Sequence, residues 1–432
     1  MTAHRPHKAM KDSGVAWLGE IPAHWDVRRL GQFFFERREK VSDKDFPPLS
    51  VTKNGVVPQL ETAAKTDDGD NRKKVCVGDF VINSRSDRKG SSGVSPHDGS
   101  VSLINTVLQP SGGLRINFVN HLLRSLPFQE EFYRVGNGIV ADMWTTKYSE
   151  MKTIQVPVPD EIEQQAIATH LDRETARIDA LIAKKTRFIE LLAEKRQALI
   201  TRAVTNGLNP NAKMKDSGVE WLGEVPAHWS VSPIKYVGRI GNGSTPSREN
   251  PNYWSEMGFP WLNSSVVNQE EVSEAAQFVT SLALQECHLP IVEPPAVLVG
   301  ITGQGKTRGM SAPLTFRATI NQHLAFIQPE SRKISVEFLL RCLQMAYPHL
   351  RFASEGAGST KGAITCEQLG NFPIPLPSLQ EQREIVDFLE FKSSRIGALI
   401  SKTERSIELL HEHRTALITA AVTGKIDLRD TA

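Results

Sequence analysis

The sequence predicts an α+β fold: two β-rich α/β domains separated by two long antiparallel coiled-coil helices, related by a pseudo-twofold internal repeat. Three observations carry this. A short segment rich in Trp, Gly and Pro occurs twice. A long amphipathic helical segment follows each copy. The stretches between them differ and alternate short Val/Ile/Phe runs with Gly/Ser/Asn turns, a β-rich pattern.

The first pair is Met10–Val27, MKDSGVAWLGEIPAHWDV, and Met214–Val231, MKDSGVEWLGEVPAHWSV. They differ at Ala16/Glu220, Ile21/Val225 and Asp26/Ser230. The second pair runs from Pro157 to Thr205 and from Pro375 to Thr423, sharing Arg177/Arg395, Ile178/Ile396, Leu181/Leu399, Ile189/Ile407, Leu192/Leu410 and an ALIT ending. The expected division is 1–156, a first domain; 157–210, a first spacer helix; 211–374, a second domain; and 375–432, a second spacer helix. A duplicated frame with unlike inserts points to two different readouts, because drift alone would have blurred the frame as well.

Ile178, Leu181, Ile182, Lys185, Phe188, Ile189, Leu192, Leu199 and Ala203 recur at steps of 3, 4 and 7, as one helix face requires. Pro157 and Pro159 exclude a helix upstream, Asp160 stands at the N-cap, and Asn206-Gly207 supplies the stop. In the second copy Ser378 takes the cap position after Pro377, and Ile396, Leu399, Ile400, Ile407, Leu410 and Leu417 repeat the stripe. Each helix has about 40 residues, or about 60 Å at 1.5 Å per residue. Helices of that length need a partner, and the two copies supply it to each other, most naturally antiparallel.

Length, 40% hydrophobic and 23% charged content describe an ordinary globular chain of 432 residues with two or three cores. No run of about 18 apolar residues occurs, and Met1–Met10 lacks an apolar signal core, so a cytoplasmic protein without a membrane span is expected. Cys76, Cys287, Cys342 and Cys366 form no CxxC pair or zinc-ligand spacing and read as reduced core thiols. The net charge of +2 neither requires nor excludes nucleic acid.

SGVEWLGEVPAHW, the PxPxxxEQ lead-in and the long helix ending in ALIT resemble the specificity subunit of type I restriction–modification systems. Four segments in the expected order carry the resemblance over nearly the whole chain. It implies a non-catalytic DNA-binding subunit with two target-recognition domains. Each would read one half of a bipartite asymmetric site in double-stranded DNA. The helices would set the gap and dock methyltransferase subunits, two of them by expectation, and restriction subunits would join. It implies no cofactor in this chain. S-adenosylmethionine, ATP and Mg would sit on the partners of a complex that is an adenine methyltransferase and ATP-dependent endonuclease.

On that reading, DNA contacts fall in the unlike stretches. The loop of Asn83, Arg85, Ser86, Arg88, Lys89 and Ser91 combines guanidinium donors, which suit guanine O6/N7, with small hydroxyls on a Gly backbone. Trp144 and Lys147 mark a second candidate. In the second domain three loops pair Ser/Thr with Lys/Arg beside Gly: Ser244, Thr245 and Arg248; Gln304, Lys306, Thr307 and Arg308; Ser359, Thr360 and Lys361. Asn321-Gln322-His323 offers amides for adenine or a buried turn. Solvated surface turns have the same composition as the first two loops.

Two readings from other classes compete: a P-loop nucleotide hydrolase, and a coiled-coil adaptor without DNA readout. Gly300–Thr307 fits GxxxxGK[ST], but Arg308, Gly309 and Pro313 follow where a phosphate-facing helix is required. Asn250-Pro251-Asn252-Tyr253 departs from the amino-methyltransferase NPPY at its third position, and no donor loop accompanies it. His411 and His413, two apart on a helix, face different ways. Trp17, His24 and Trp25 recur as Trp221, His228 and Trp229. Identical residues cannot encode two different sequences, so these read as packing.

Overall fold

Pro157 lies in the strand Gln155–Val158, and Asp160 then caps the helix Glu161–Asn206, its Oδ1 accepting the Glu163 amide at 2.8 Å. The helix stops at Gly207, whose φ of +71° suits glycine. The second copy repeats the design. Ser378 and Glu381 exchange side-chain and backbone hydrogen bonds ahead of the helix Leu379–Val422, and Gly424, at φ +70°, ends it. The computed structural model describes residues 6–61, 68–138, 144–303, 305–355 and 362–429.

The chain forms two compact units, Met1–Thr186 with Glu404–Ala432, and Arg187–Thr403. Each unit holds the start of one long helix beside the end of the other, so the helices run antiparallel, as expected. In the first unit Ile178 and Ile182 share a core with Leu410, Leu417 and Ala421, and Asp179 binds Arg414 through two contacts of 2.9 and 3.2 Å. In the second, Ile200, Ala203 and Val204 pack with Ile385, Val386 and Leu389.

The inward positions are 178, 182, 185, 189, 192, 196, 199 and 203 on one helix, and 396, 400, 403, 407, 410, 414, 417 and 421 on the other. These steps of four and three are the coiled-coil spacing. Leu181, Phe188 and Leu399, expected on the stripe, are exposed instead. They stand outside the narrow seam that a two-helix pairing can cover.

Both units are built on one four-stranded antiparallel sheet with the same order. In the first it is Ser92–Val94, Phe80–Asn83, Asn105–Pro110, Phe34–Glu36. In the second it is Ser311–Leu314, Ala296–Gly300, Leu324–Pro329, Gly238–Asn242. The helices Ile116–Arg124 and Leu126–Arg134 serve the first unit, and the single helix Val336–Glu355 serves the second. Smaller sheets differ: strands Gly99–Val101, Arg72–Val75 and Lys40–Val41 in the first unit, and a mixed four-stranded sheet over 254–320 in the second.

The duplicated segment forms the hairpins Met10–Asp12/Glu20–Pro22 and Met214–Asp216/Glu224–Pro226. Its second Trp is in the core of each unit, Trp25 fully buried and Trp229 nearly so. Each indole N–H donates to the glutamate of the EQ pair: Trp25 to Glu163 at 2.7 Å, Trp229 to Glu381 at 3.2 Å. The buried glutamine of each pair closes its lead-in, Gln164 donating to the Pro159 carbonyl and Gln382 to that of Pro377, both at 3.0 Å. Gln164 also accepts the Arg115 amide, and Gln382 that of Ser335, which ties each helix start to its own sheet-covering helix. Burial alone would raise the Glu381 carboxyl, but hydrogen bonds from His228, Trp229 and Ser378 outweigh it and hold it below the usual carboxylate value. Of the cysteines, all free, Cys342 is buried, and burial raises its thiol; Cys287 and Cys366 are half-buried against core clusters, and Cys76 is half-buried.

Candidate nucleic-acid interface

In the first unit the loop between strands Phe80–Asn83 and Ser92–Val94 lies beside the segment 144–147. Arg85 bridges Thr145 across their backbones, and the Thr146 amide donates to the Ser84 carbonyl at 3.0 Å. The two stretches singled out in the sequence are therefore neighbours. With them lies a cleft of ≈720 Å³. It is lined by Arg38, Lys40, Lys73, Arg85, Lys147 and Lys152, with Glu36 as its carboxylate. Glu36 is committed to Arg38 at 2.8 Å and Lys73 at 3.2 Å. Among the described residues, Arg85, Lys147 and Lys152 have no ion-pair partner and are exposed. Several unpaired cations over one concave surface give the positive potential that a polyanion backbone needs.

The other predicted residues of this unit fall elsewhere. Asn83 and Ser91 are buried, a correction to their expected display on a loop. The Asn83 side chain accepts the Arg85 amide at 3.0 Å, and its backbone amide donates to the Ser91 carbonyl at 2.9 Å. They shape the loop. Ser86 opens a short 3-10 turn, Ser86–Arg88. Arg88 is exposed, 3.7 Å from Asp87. Lys89 is taken up by Glu130 at 2.5 Å and the Tyr133 ring. Trp144 is half-buried and donates to the Tyr133 carbonyl at 2.8 Å. The basic runs 37–40 and 72–74 were visible in the sequence, but nothing there brought them to Arg85.

In the second unit the equivalent hairpin loop is 301–310. It joins strand Ala296–Gly300 to the antiparallel strand Ser311–Leu314, and the Gly300 amide meets the Met310 carbonyl at 2.9 Å. No helix follows the GxxxxGK[ST] pattern, so its amides do not converge on a phosphate as a P-loop requires. Lys306 is exposed, and its carbonyl accepts the Tyr347 hydroxyl at 2.9 Å. Thr307 is half-buried, whereas Arg308 is buried at 4% exposure, a second correction. A Cβ on Gly362 would collide with the Arg308 guanidinium, so that chain packing holds the side chain inside. Gln304, Ser359, Thr360 and Lys361 lie outside the described residues.

A polar relay joins this loop to the one at 244–248. Thr245 donates to Gln322 at 2.5 Å, Gln322 meets His323 at 3.3 Å, and His323 meets Thr302 at 2.7 Å. Asn321 is buried and turns the chain, while Gln322 and His323 are exposed. Ser244 is held through its backbone, donating to the Ile320 carbonyl and accepting from Trp261. Arg248 stacks 3.9 Å over the Trp254 ring and donates to Gln277 at 2.9 Å. That guanidinium is pre-oriented, with one face on an indole and an edge left to solvent. Asn250 caps the turn Pro251–Tyr253, and Tyr253 donates to Glu286, which is structural work.

Residues 226–409 match the family model of the type I restriction modification DNA specificity domain. The EcoR124I/EcoR124II specificity subunit of Escherichia coli is 24% identical over 298 residues, 68% of this chain and 67% of that protein. A putative MjaX specificity subunit of Methanocaldococcus jannaschii is 23% identical over 442 aligned residues, 95% of this chain and 96% of that protein. The chain is similar to type I restriction–modification specificity subunits over nearly its whole length. The fold of the chain is similar to that of the HsdS subunit from Thermoanaerobacter tengcongensis, at TM-score 0.55 and 19% identity over 94% of this chain and 98% of that one. It is also similar to a chain solved in work on assembly and conformational transition of the type I R-M system, at TM-score 0.72 and 18% identity over 93% and 98%. A specificity subunit is a DNA-recognition component without catalysis of its own, and neither the nucleotide hydrolase nor the adaptor reading is supported. That similarity is consistent with a chain that binds no cofactor. Among the described residues no helix is long and apolar enough to cross a membrane.

Proposed function

We propose that each half of the chain reads one half of a bipartite asymmetric DNA site. The domains at 1–156 and 211–374 are the readers, and the segments 157–210 and 375–432 set the gap. One observation carries this reading: the two units repeat one sheet order on one duplicated frame, yet the loops at the same hairpin, 84–91 and 301–310, are unlike. In the first unit the contact surface is the cationic cleft around Arg85 and Lys147. In the second it is the loop face of Ser244, Thr245, Arg248, Lys306 and Thr307; Gln304, Ser359, Thr360 and Lys361 are assigned to DNA contact from the sequence alone.

The long helices also dock two methyltransferase subunits, and restriction subunits join the same cytoplasmic assembly. Exposed apolar side chains support that role: Leu181 and Leu409 in the first unit, and Phe188, Leu191, Phe391 and Leu399 in the second. S-adenosylmethionine, ATP and Mg belong to those partners, which make the complex an adenine methyltransferase and ATP-dependent endonuclease.

The spacer role is tested by inserting four residues, about 6 Å of helix, into both helices at paired seam positions. The recognised gap is expected to lengthen by one or two base pairs, at about 3.4 Å each, with both half-sites kept. A changed half-site would remove the division between frame and readers.

A further inference from the structure

Four distant stretches of the first unit meet at one spot beneath its surface. His7 precedes the duplicated hairpin, His24 lies within the duplicated segment, Glu163 is in the first turn of the long helix, and Ile426-Asp427 follow the second long helix. His7 is 7% exposed and Glu163 1%. One oxygen of Glu163, Oε2, receives Trp25 at 2.7 Å and His24 at 2.9 Å. The other, Oε1, is buried without a hydrogen-bond partner. His7 Nδ1 is likewise buried and unpartnered. His7 Nε2 lies 3.2 Å from the Ile426 carbonyl, which can only accept, so the proton sits on Nε2 and the lone pair on Nδ1.

Glu163 Oε1 lies 3.8 Å from His7 Nε2, and His7 Nδ1 lies 3.8 Å from Asp427 Oδ2, so neither buried atom is within hydrogen-bond reach of these neighbours. Leaving such groups buried and unmatched is costly. A bound cation would give the imidazole and the carboxylate a common partner. The donor atoms of His7, His24 and Glu163 all lie within 4.8 Å of one another. A tetrahedral zinc at about 2.0–2.1 Å from each ligand would hold donors about 3.3 Å apart, which draws His7 inward and opens the 2.9 Å His24–Glu163 contact slightly. His24 is partly open to solvent and gives an entry path and room for a water as fourth ligand. The Ile426 carbonyl would act as the outer partner that fixes a ligating imidazole. Asp427 is engaged by Arg429 at 2.9 Å and is not counted as a ligand.

The second unit is an internal control. It keeps the His228–Glu381 contact at 2.8 Å and the Trp229 bond to Glu381. Counting from the repeated Met10 and Met214, its counterpart of His7 is Asn211, which is exposed. The third donor occurs in one unit alone.

We propose that His7, His24 and Glu163 bind a divalent transition metal of the zinc class, which pins the N-terminal segment and the C-terminal tail to the start of the long helix. Two imidazoles and one carboxylate favour zinc over magnesium or calcium. The test uses the untagged full-length chain, equilibrated with zinc chloride, dialysed, and assayed for bound metal and melting temperature. About one zinc per chain is expected, with a rise in melting temperature that EDTA reverses. His7→Asn, which installs the residue of the second copy, and His24→Asn should each weaken zinc binding at least tenfold and abolish the EDTA effect. A His411→Asn/His413→Asn variant should bind zinc as the parent does. Cobalt(II) in place of zinc should give the visible absorption of a tetrahedral site, absent in His24→Asn. No stoichiometric zinc in the parent chain, or equal zinc in His7→Asn and His24→Asn, would overturn the proposal. His24 is partly exposed, so its variant remains informative if His7→Asn fails to fold.

Discussion

Replacing Arg85, Lys147 and Lys152 together by Ala is expected to weaken DNA binding by the assembled complex roughly 100-fold near 0.15 M salt. Each phosphate neutralised contributes about 0.9 to the slope of log affinity against log salt. Three lost contacts should lower that slope by about 3, and the affinity follows from the counterions no longer released. The three side chains are exposed, line one cleft and have no ion-pair partner among the described residues. Their removal should therefore leave stability within about 0.5 kcal/mol. Sequence preference supplies a second readout. Arg85 stands on the hairpin loop that differs between the units, so Arg85→Ala alone should relax one half-site and leave the other intact. Binding assays across a salt series check both. An unchanged slope in the triple variant would take the cleft out of the interface.

Trp229→Ala is expected to destabilise the second unit by about 3–5 kcal/mol, the usual range for emptying a buried aromatic site. For a unit of this size that lowers its melting transition by about 10 °C. The indole is in a core with Val225, Ile234 and Val204, so three separate sequence segments lose their common contact. Gly207 presses on the same ring: a Cβ there would come within 3.1 Å of it, so the helix stop and the duplicated segment are locked together. Trp229→Phe keeps most of the ring and loses the N–H to Glu381, for a smaller loss of about 1 kcal/mol. Calorimetry on the three chains separates packing from the hydrogen bond. An Ala variant as stable as the Phe variant would contradict the packing role.

Those two outcomes draw on parts of the molecule that were unequally legible in the sequence. The frame was readable because its signals are local or periodic. Asp160 and Ser378 announce helix starts, Gly207 announces a stop, and the four-and-three spacing continues for seven turns. The repeat itself told which tryptophans pack, because identical residues cannot specify different partners. The cleft was only half readable. Arg85 and Lys147 stood in polar loops, but Arg38, Lys73 and Lys152 reach them through sheet pairing and a short helix that no spacing rule anticipates. Loop composition also failed to separate side chains that point outward from those that build the loop. Asn83 and Ser91 close the turn, and Arg308 is folded under Gly362. Leu181 and Phe188 look like core residues by spacing, yet a two-helix seam is too narrow to bury them. The His7 cluster was invisible for the simplest reason: His7 and Ile426 are 419 positions apart.

The central claim is that two unlike readers on one duplicated frame specify a split site. Its most direct test is to map methylated bases in DNA exposed to this chain together with its methyltransferase subunits. Adenine methylation is expected within one bipartite asymmetric motif, two unlike half-sites separated by a fixed gap. Methylation at a single continuous motif, at a palindrome of two identical halves, or at sites with a variable gap would contradict it.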